Sequence, residues 1–230
     1  MSTGPRIGSR RHCWSDWPEK GELLQLGKNN GTVPTDAQIE RLQPHQFDLI
    51  GAILAAGFKD DAVNLWAFNG SDALLPVFTD LARYCYLRRG FGHYTRDQLA
   101  GTLWLPPGQK ESCGIAGTAK IGWHIFRHGG LTAFRRSLAA LDFLEKRHPQ
   151  KPHYYLFTIA VHPSLQGRGV GSRLMKVALE EVDRQRQPAY LENSKQDNIA
   201  FYRKHGFEIV EEVVPAAGCP PLWLMWRDAR

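Results

Sequence analysis

At 230 residues, 43% hydrophobic and 23% charged, the chain can bury the core of one domain and is too short for a second full one. A net charge of +6 and a pI near 9.2 suit a polyphosphorylated ligand, nucleic acid or an acidic membrane alike. No basic stripe or nucleic-acid-binding motif is present and no ~18 apolar residues run together, so neither a nucleic-acid nor a membrane partner is implied. Cys13, Cys85, Cys113 and Cys219 lack C-x-x-C spacing and read as free thiols rather than a zinc site or disulfide framework. With no apolar h-region in the first thirty residues, a cytoplasmic protein is the expectation.

Residues 1–34 are polar and aperiodic and are expected to form a mobile N-terminal extension, leaving 35–230 as the domain. Gln38 to Leu42 reads as a short strand. Phe47, Ile50 and Leu54 then recur at helical spacing up to Gly57, a stop signal. Leu74, Phe78, Leu81 and Cys85 mark one face of a second helix, capped near Ser71 or Asp72 and fading at Arg88 and Arg89. Leu99 to Leu105 alternates and ends at Pro106 and Pro107, as a strand running into a turn does. Thr118 to His148 is helical sequence broken at Gly129 and Gly130, with Leu131, Phe134, Leu138 and Leu141 on one stripe. Tyr154 to Val161 is a central strand. Val170 to Arg186 is a helix that buries Val170, Leu174, Val177 and Val182, and Pro188 ends it. Strands at Ala189–Asn193, Phe207–Val214 and Leu222–Trp226, with a short helix at Asn198–His205, complete the chain.

The join between the central strand and the next helix carries the strongest chemical signal. Gly167, Gly169 and Gly171 let consecutive backbone N–H groups converge on one point, the helix N-terminus adds its positive dipole end, and Arg168 adds a charge. This is an anion cradle suited to a phosphate or pyrophosphate. It is not a P-loop, because no Gly-Lys-Ser/Thr follows, and a dinucleotide fingerprint would need a glycine or alanine where Ser172 stands.

Gln166, Gly169 and Gly171 match the Q-x-x-G-x-G signature of the GCN5-related N-acetyltransferases, which the chain resembles. Downstream, Asn198 to Phe207 matches that family's N-x-x-F-Y-x-x-x-G-F ending. Upstream, Gly57 to Trp66, Leu103 to Gly108 and Pro152 to Leu156 resemble the puromycin N-acetyltransferase-like branch. The resemblance implies a single α/β domain, the acyl-CoA N-acyltransferase fold, with a mixed, mostly antiparallel sheet, a splayed central strand and flanking helices. It implies acetyl-CoA as acetyl donor, no metal, and direct transfer to an amine with both molecules bound. The acceptor is expected to be a small-molecule primary amine. Protein or peptide N-acetylation, or a non-catalytic CoA-binding sensor, are the alternatives.

On the same resemblance, the amides of Gln166, Gly167, Arg168, Gly169, Val170, Gly171 and Ser172 hold the pyrophosphate. The open backbone of Ile159, Ala160 and Val161 binds the pantetheine arm, Asn198 assists it, and Tyr202 protonates the departing thiolate. Fixed peptide dipoles near Ile159 to Val161 would stabilise the charge that develops on the carbonyl oxygen. Glu192 is the candidate general base, pointed into the cleft by strand alternation, against a merely structural carboxylate. Asp60, Asp61 and His153 are candidates for the acceptor side, although an Asp beside a helix start also serves as a cap. His162, preceding Pro163, reads as a solvated turn histidine.

Overall fold

The structure, a computed structural model, describes residues 38–230; the extension expected over 1–34 lies outside them. Its elements, in chain order, begin with β1 (Ile39–Arg41), α1 (Phe47–Gly57), α2 (Ala62–Phe68) and α3 (Leu74–Leu81). α3 continues through one π-helical turn, Ala82–Tyr86, to Arg89. There follow β2 (Phe91–Thr95), β3 (Ala100–Leu105), the long α4 (Gly114–Glu145), β4 (Tyr154–Val161) and α5 (Val170–Arg184). The chain closes with β5 (Ala189–Asn193), α6 (Ile199–Lys204), β6 (Glu208–Val213) and β7 (Leu222–Arg227).

The seven strands form one sheet in the order β1-β2-β3-β4-β5-β7-β6. Neighbours are antiparallel except β4 and β5, which run parallel because α5 carries the chain back between them. This is the mixed, mostly antiparallel sheet expected from the sequence. On one face Ile50, Leu54, Phe78 and Tyr86 from α1, α3 and its extension pack on Leu103, Leu105, Tyr155 and Tyr190. On the other, Met175, Ala178, Leu179 and Val182 of α5 cover Trp104, Leu156, Leu191 and Met225, with Tyr202 and Phe207 beside them. Each fully buried leucine in these layers contributes about 2 kcal/mol through the area it removes from water.

Glycines set how closely α1 can lie. A Cβ at Gly57 would come within 2.7 Å of the Ala160 Cβ, so Gly57 serves close packing of α1 on β4 rather than a left-handed stop. α4 breaks at Gly130, whose backbone (φ 72, ψ −171) is open essentially to glycine alone. Before the break, Asp80 of α3 is buried and takes Lys120 Nζ at 3.3 Å and His124 Nε2 at 3.1 Å from α4.

The structure departs from the sequence reading in four places. α2 and β2 were not expected. α2 has only seven residues, none of them fully buried, and so lacks a periodic stripe. β2 is buried throughout, which removes alternation, and Gly92 interrupts it because any Cβ there would strike the Thr102 carbonyl. The α3 cap is Ala73, which offers no side-chain oxygen; Ser71 instead accepts from the Leu74 N–H through its carbonyl. Finally, α4 buries Gly117, Ile125, Gly129 and Ala133, while Leu131, Leu138 and Leu141 of the expected stripe are at least half exposed.

Candidate active site

β4 and β5 part early. β5 pairs with Tyr154, Tyr155 and Leu156 only, and the remaining five residues of β4 have no partner strand on that side. The cause is visible in the register with β3: Leu103 faces Thr158 and Trp104 faces Leu156, so Phe157 is an extra residue that bends β4 away. Beyond the bulge, the His162 N–H donates to the Leu99 carbonyl at 2.7 Å. Antiparallel alternation from that bond turns the N–H groups of Ala160 and Thr158 toward β3 and those of Ile159 and Val161 into the gap. The gap is therefore lined by fixed backbone groups that have no partner strand.

The glycine loop closes the wide end of this gap. Gln166 Nε2 donates to the Val161 carbonyl at 3.0 Å, which fixes the loop against the strand. Gly167 (φ 74) and Gly169 (φ 76) adopt left-handed backbone that other residues rarely take. Gly169 is the N-cap of α5, and no side chain caps the helix. The N–H groups of Val170, Gly171 and Ser172 have no intrahelical acceptor and point outward with the helix dipole behind them. Arg168 is exposed beside them. A Cβ at Gly171 would only touch Phe201 and Val161 at 3.5 Å, so the space above this turn is open. These features fit a pyrophosphate, and the open edge of β4 fits an extended amide-bearing arm. From Ser172 a groove of about 470 Å³ continues between α5 and α6, lined by Arg173, Lys176, Lys204, Arg227 and Arg230 against the acids Glu180 and Asp183, the latter paired with Arg227.

Glu192 and Tyr202 stand on opposite faces of the sheet near the parting point. Glu192 is the first residue of β5 past its pairing with β4. It accepts from the Tyr190 hydroxyl at 3.2 Å and the Tyr155 hydroxyl at 3.4 Å, both on the face covered by α1 and α3. Burial pushes its carboxyl up to about 7, partly offset by those two hydrogen bonds. Tyr202, from α6, is buried in the layer beneath α5, and its hydroxyl has no partner among the described residues. Burial, with Asp61 adding to it, raises the phenol above its usual value and keeps it protonated. Asn198, four residues earlier, is exposed at the start of α6.

The three acceptor-side candidates do not gather in one pocket. Asp61 is fully buried: Oδ1 accepts from the Asn64 N–H at 2.9 Å as the cap of α2, and Oδ2 accepts from Ser194 Oγ at 2.6 Å. It ties the α1–α2 turn to the end of β5. Asp60 is exposed and pairs with Lys195 at 3.2 Å. His153 lies at the closed end of the β4–β5 pair, where Nδ1 donates to the Lys151 carbonyl at 2.6 Å. Nε2 must then accept, so the bond of 3.1 Å to His148 Nε2 is donated by His148. Burial lowers both imidazoles, His148 to about 4, so the pair is neutral. His162 is a turn residue bonded to Ser164 Oγ at 2.8 Å.

Sequence reasoning missed the aromatic wall around Glu192. Tyr86 and Phe157 stack at 3.9 Å, and Tyr155 and Tyr190 lie 5.8 Å apart. The period-2 spacing of Tyr190 and Glu192 was an available signal.

A model of the acetyltransferase (GNAT) domain family matches residues 130–209, from the break in α4 into β6. The chain carries a GCN5-related N-acetyltransferase domain. It is thereby an acyltransferase, and its architecture agrees with solved structures. A structure described as histone acetyltransferase HPA2 and related acetyltransferase, from Corynebacterium glutamicum ATCC 13032, superposes with a TM-score of 0.62 at 22% identity. The match covers 84% of this chain and 96% of that one. Arylalkylamine N-acetyltransferase 2 from Aedes aegypti gives 0.56 at 14% identity, over 84% and 99%. The C-terminal condensation domain of Ebony, in complex with beta-alanyl-dopamine, gives 0.56 at 11%, over 84% and 100%. At these identities the likeness is one of fold. Among the described residues, no helix of this acetyltransferase is long and apolar enough to cross a membrane.

Proposed function

We propose that this acetyltransferase moves the acetyl group of acetyl-CoA to the primary amine of a small molecule, by direct attack with both bound. The observation that carries the reading is the parting of β4 and β5 between a carboxylate on one face and a tyrosine on the other. Acetyl-CoA supplies the activated thioester. The amides of Val170, Gly171 and Ser172 would hold its pyrophosphate, the edge of β4 at Ile159 and Val161 its pantetheine arm, and the basic α5–α6 groove its remaining phosphate. Glu192 takes a proton from the acceptor ammonium, freeing the nitrogen lone pair for attack on the acetyl carbon. As the new C–N bond forms and the C–S bond breaks, Tyr202 gives its proton to the sulfur, and the proton lost from nitrogen replaces it through solvent. N–H groups turned into the gap meet the charge on the carbonyl oxygen without reorganising.

A small acceptor is favoured because the wall around Glu192 is aromatic and deeply buried, as a closed pocket requires. The free thiols of Cys85, Cys113 and Cys219 suit the reducing cytosol in which we place the activity. Incubating the purified protein with acetyl-CoA and a panel of amines, with free thiol as readout, tests the reading. Release with small amines supports it. Release only with peptides or proteins reassigns the acceptor, and binding without any release would make the chain a CoA sensor.

A further inference from the structure

Resting on that acetyltransferase reading, the geometry points to Thr158 as a residue that touches the acceptor. We propose that its hydroxyl oxygen accepts one N–H of the attacking amine while Glu192 accepts another, and that this pair of acceptors selects primary over secondary amines.

The first argument is position. Thr158 pairs with Leu103 across the β3–β4 ladder, and residues directly opposite in an antiparallel pair share a face. Leu103 packs in the layer under α1 and α3, so Thr158 stands on that face together with Tyr155 and Glu192. The bulge produces this placement. Phe157 stacks on Tyr86 on the same side, and strict alternation would have sent the next residue to the other. Thr158 is thus the first residue of β4 past the bulge, and Glu192 the first of β5 past its last pair, Leu191. The two side chains stand on opposite lips of the gap, on one face, with no hydrogen bond joining them.

The second argument is an unused hydroxyl. Thr158 is 6% exposed and its Oγ1 has no partner among the described residues. Of the buried polar side-chain atoms in that condition, it is the one that belongs to β4 or β5. A buried hydroxyl left unpaired destabilises a fold, and valine would fill the same space without that cost. The Tyr155 and Tyr190 hydroxyls on this face are already committed to Glu192. Thr158 Oγ1 keeps its lone pairs free beside Ile159, whose N–H turns into the gap where the acetyl carbonyl would lie.

The chemistry has a use for a second acceptor. Once Glu192 has taken a proton from a primary ammonium, the nitrogen keeps two N–H bonds and one lone pair. One N–H stays on the Glu192 carboxyl and the other meets Thr158 Oγ1, which aims the lone pair at the acetyl carbon. Thr158 neither takes nor gives a proton. A secondary amine has a single N–H at this stage and cannot engage both lips.

The test uses the full-length protein with n-butylamine and N-methylbutylamine, saturating acetyl-CoA and free thiol as readout. The parent should favour n-butylamine in kcat/KM by about tenfold or more, and Thr158→Val should bring that ratio to within about threefold by losing activity on the primary amine. KM for acetyl-CoA should not change, and Thr158→Ser should keep the preference. Thr158→Val should also melt no lower than the parent, because it removes the unpaired hydroxyl. A ratio near one in the parent, or a parental ratio in Thr158→Val, overturns the proposal. So do equal losses in the valine and serine variants, which would make Thr158 a packing residue. No transfer by the parent to either amine sinks the small-amine reading and the proposal with it; transfer with a ratio indifferent to Thr158 sinks the proposal alone.

Discussion

In the reading proposed above, Tyr202 and Glu192 serve in opposite senses from opposite faces of the sheet. Desolvation keeps the phenol protonated and lifts the partly buried carboxyl to about 7. Tyr202→Phe keeps the ring packing and should lower turnover by on the order of 10² with acetyl-CoA affinity nearly unchanged, because only the leaving-group proton is lost. Titrating the cofactor by calorimetry alongside rates checks both halves; activity within about threefold would make Tyr202 a packing residue. Glu192 has a stability signature too. Its carboxyl titrates near 4.5 unfolded and about 7 folded, so between those values the native state binds more protons and stability falls as pH rises. Glu192→Gln should remove that slope and stabilise the fold at pH 8, by on the order of 3 kcal/mol as an upper bound. Melting curves at pH 5 and pH 8 read it, and an equal shift at both would refute the buried-base account.

At the scale of elements, the cradle is a helix N-terminus joined to a strand that has lost its neighbour. Gly169 carries the join, since its φ of 76 turns the chain from the 3-10 segment Pro163–Leu165 into α5. Gly169→Glu should abolish acetyl-CoA binding by placing a like charge at the phosphate position. Backbone strain would also weaken that variant, by roughly 1 kcal/mol. Gly169→Asn is therefore the control: asparagine tolerates left-handed backbone and adds no charge, so it should retain measurable affinity. If both variants bind the cofactor as the parent does, the loop is not the phosphate site.

For the whole molecule, the described residues contain a seven-stranded sheet with a core layer on each face. We place the domain at 35–230. A chain lacking residues 1–34 should accordingly melt within a few degrees of the parent and keep its acetyl-CoA affinity. Trp14 and Trp17 give the deletion its interest, because each can bury ~200 Å². A fall of several degrees would show that they pack on the domain, and an unchanged melt with altered amine turnover would assign them to the acceptor cleft.

What the sequence determined by itself was whatever depends on neighbours along the chain. The glycine spacing from Gly167 to Gly171 needs no distant contact to form a cradle, and β4 and β5 run over the residues expected because apolar strands bounded by proline declare themselves locally. Tyr202 and Glu192 were named through motif and alternation. The tertiary structure alone decided the rest. Asp61 became a cap bonded to Ser194, 133 positions away, and Glu192 met the Tyr155 hydroxyl from a strand 37 positions earlier. Desolvation, which raises the Glu192 carboxyl, comes from layers of residues remote in sequence. No local pattern encodes it, because it exists only once the sheet and its helices have closed around the gap.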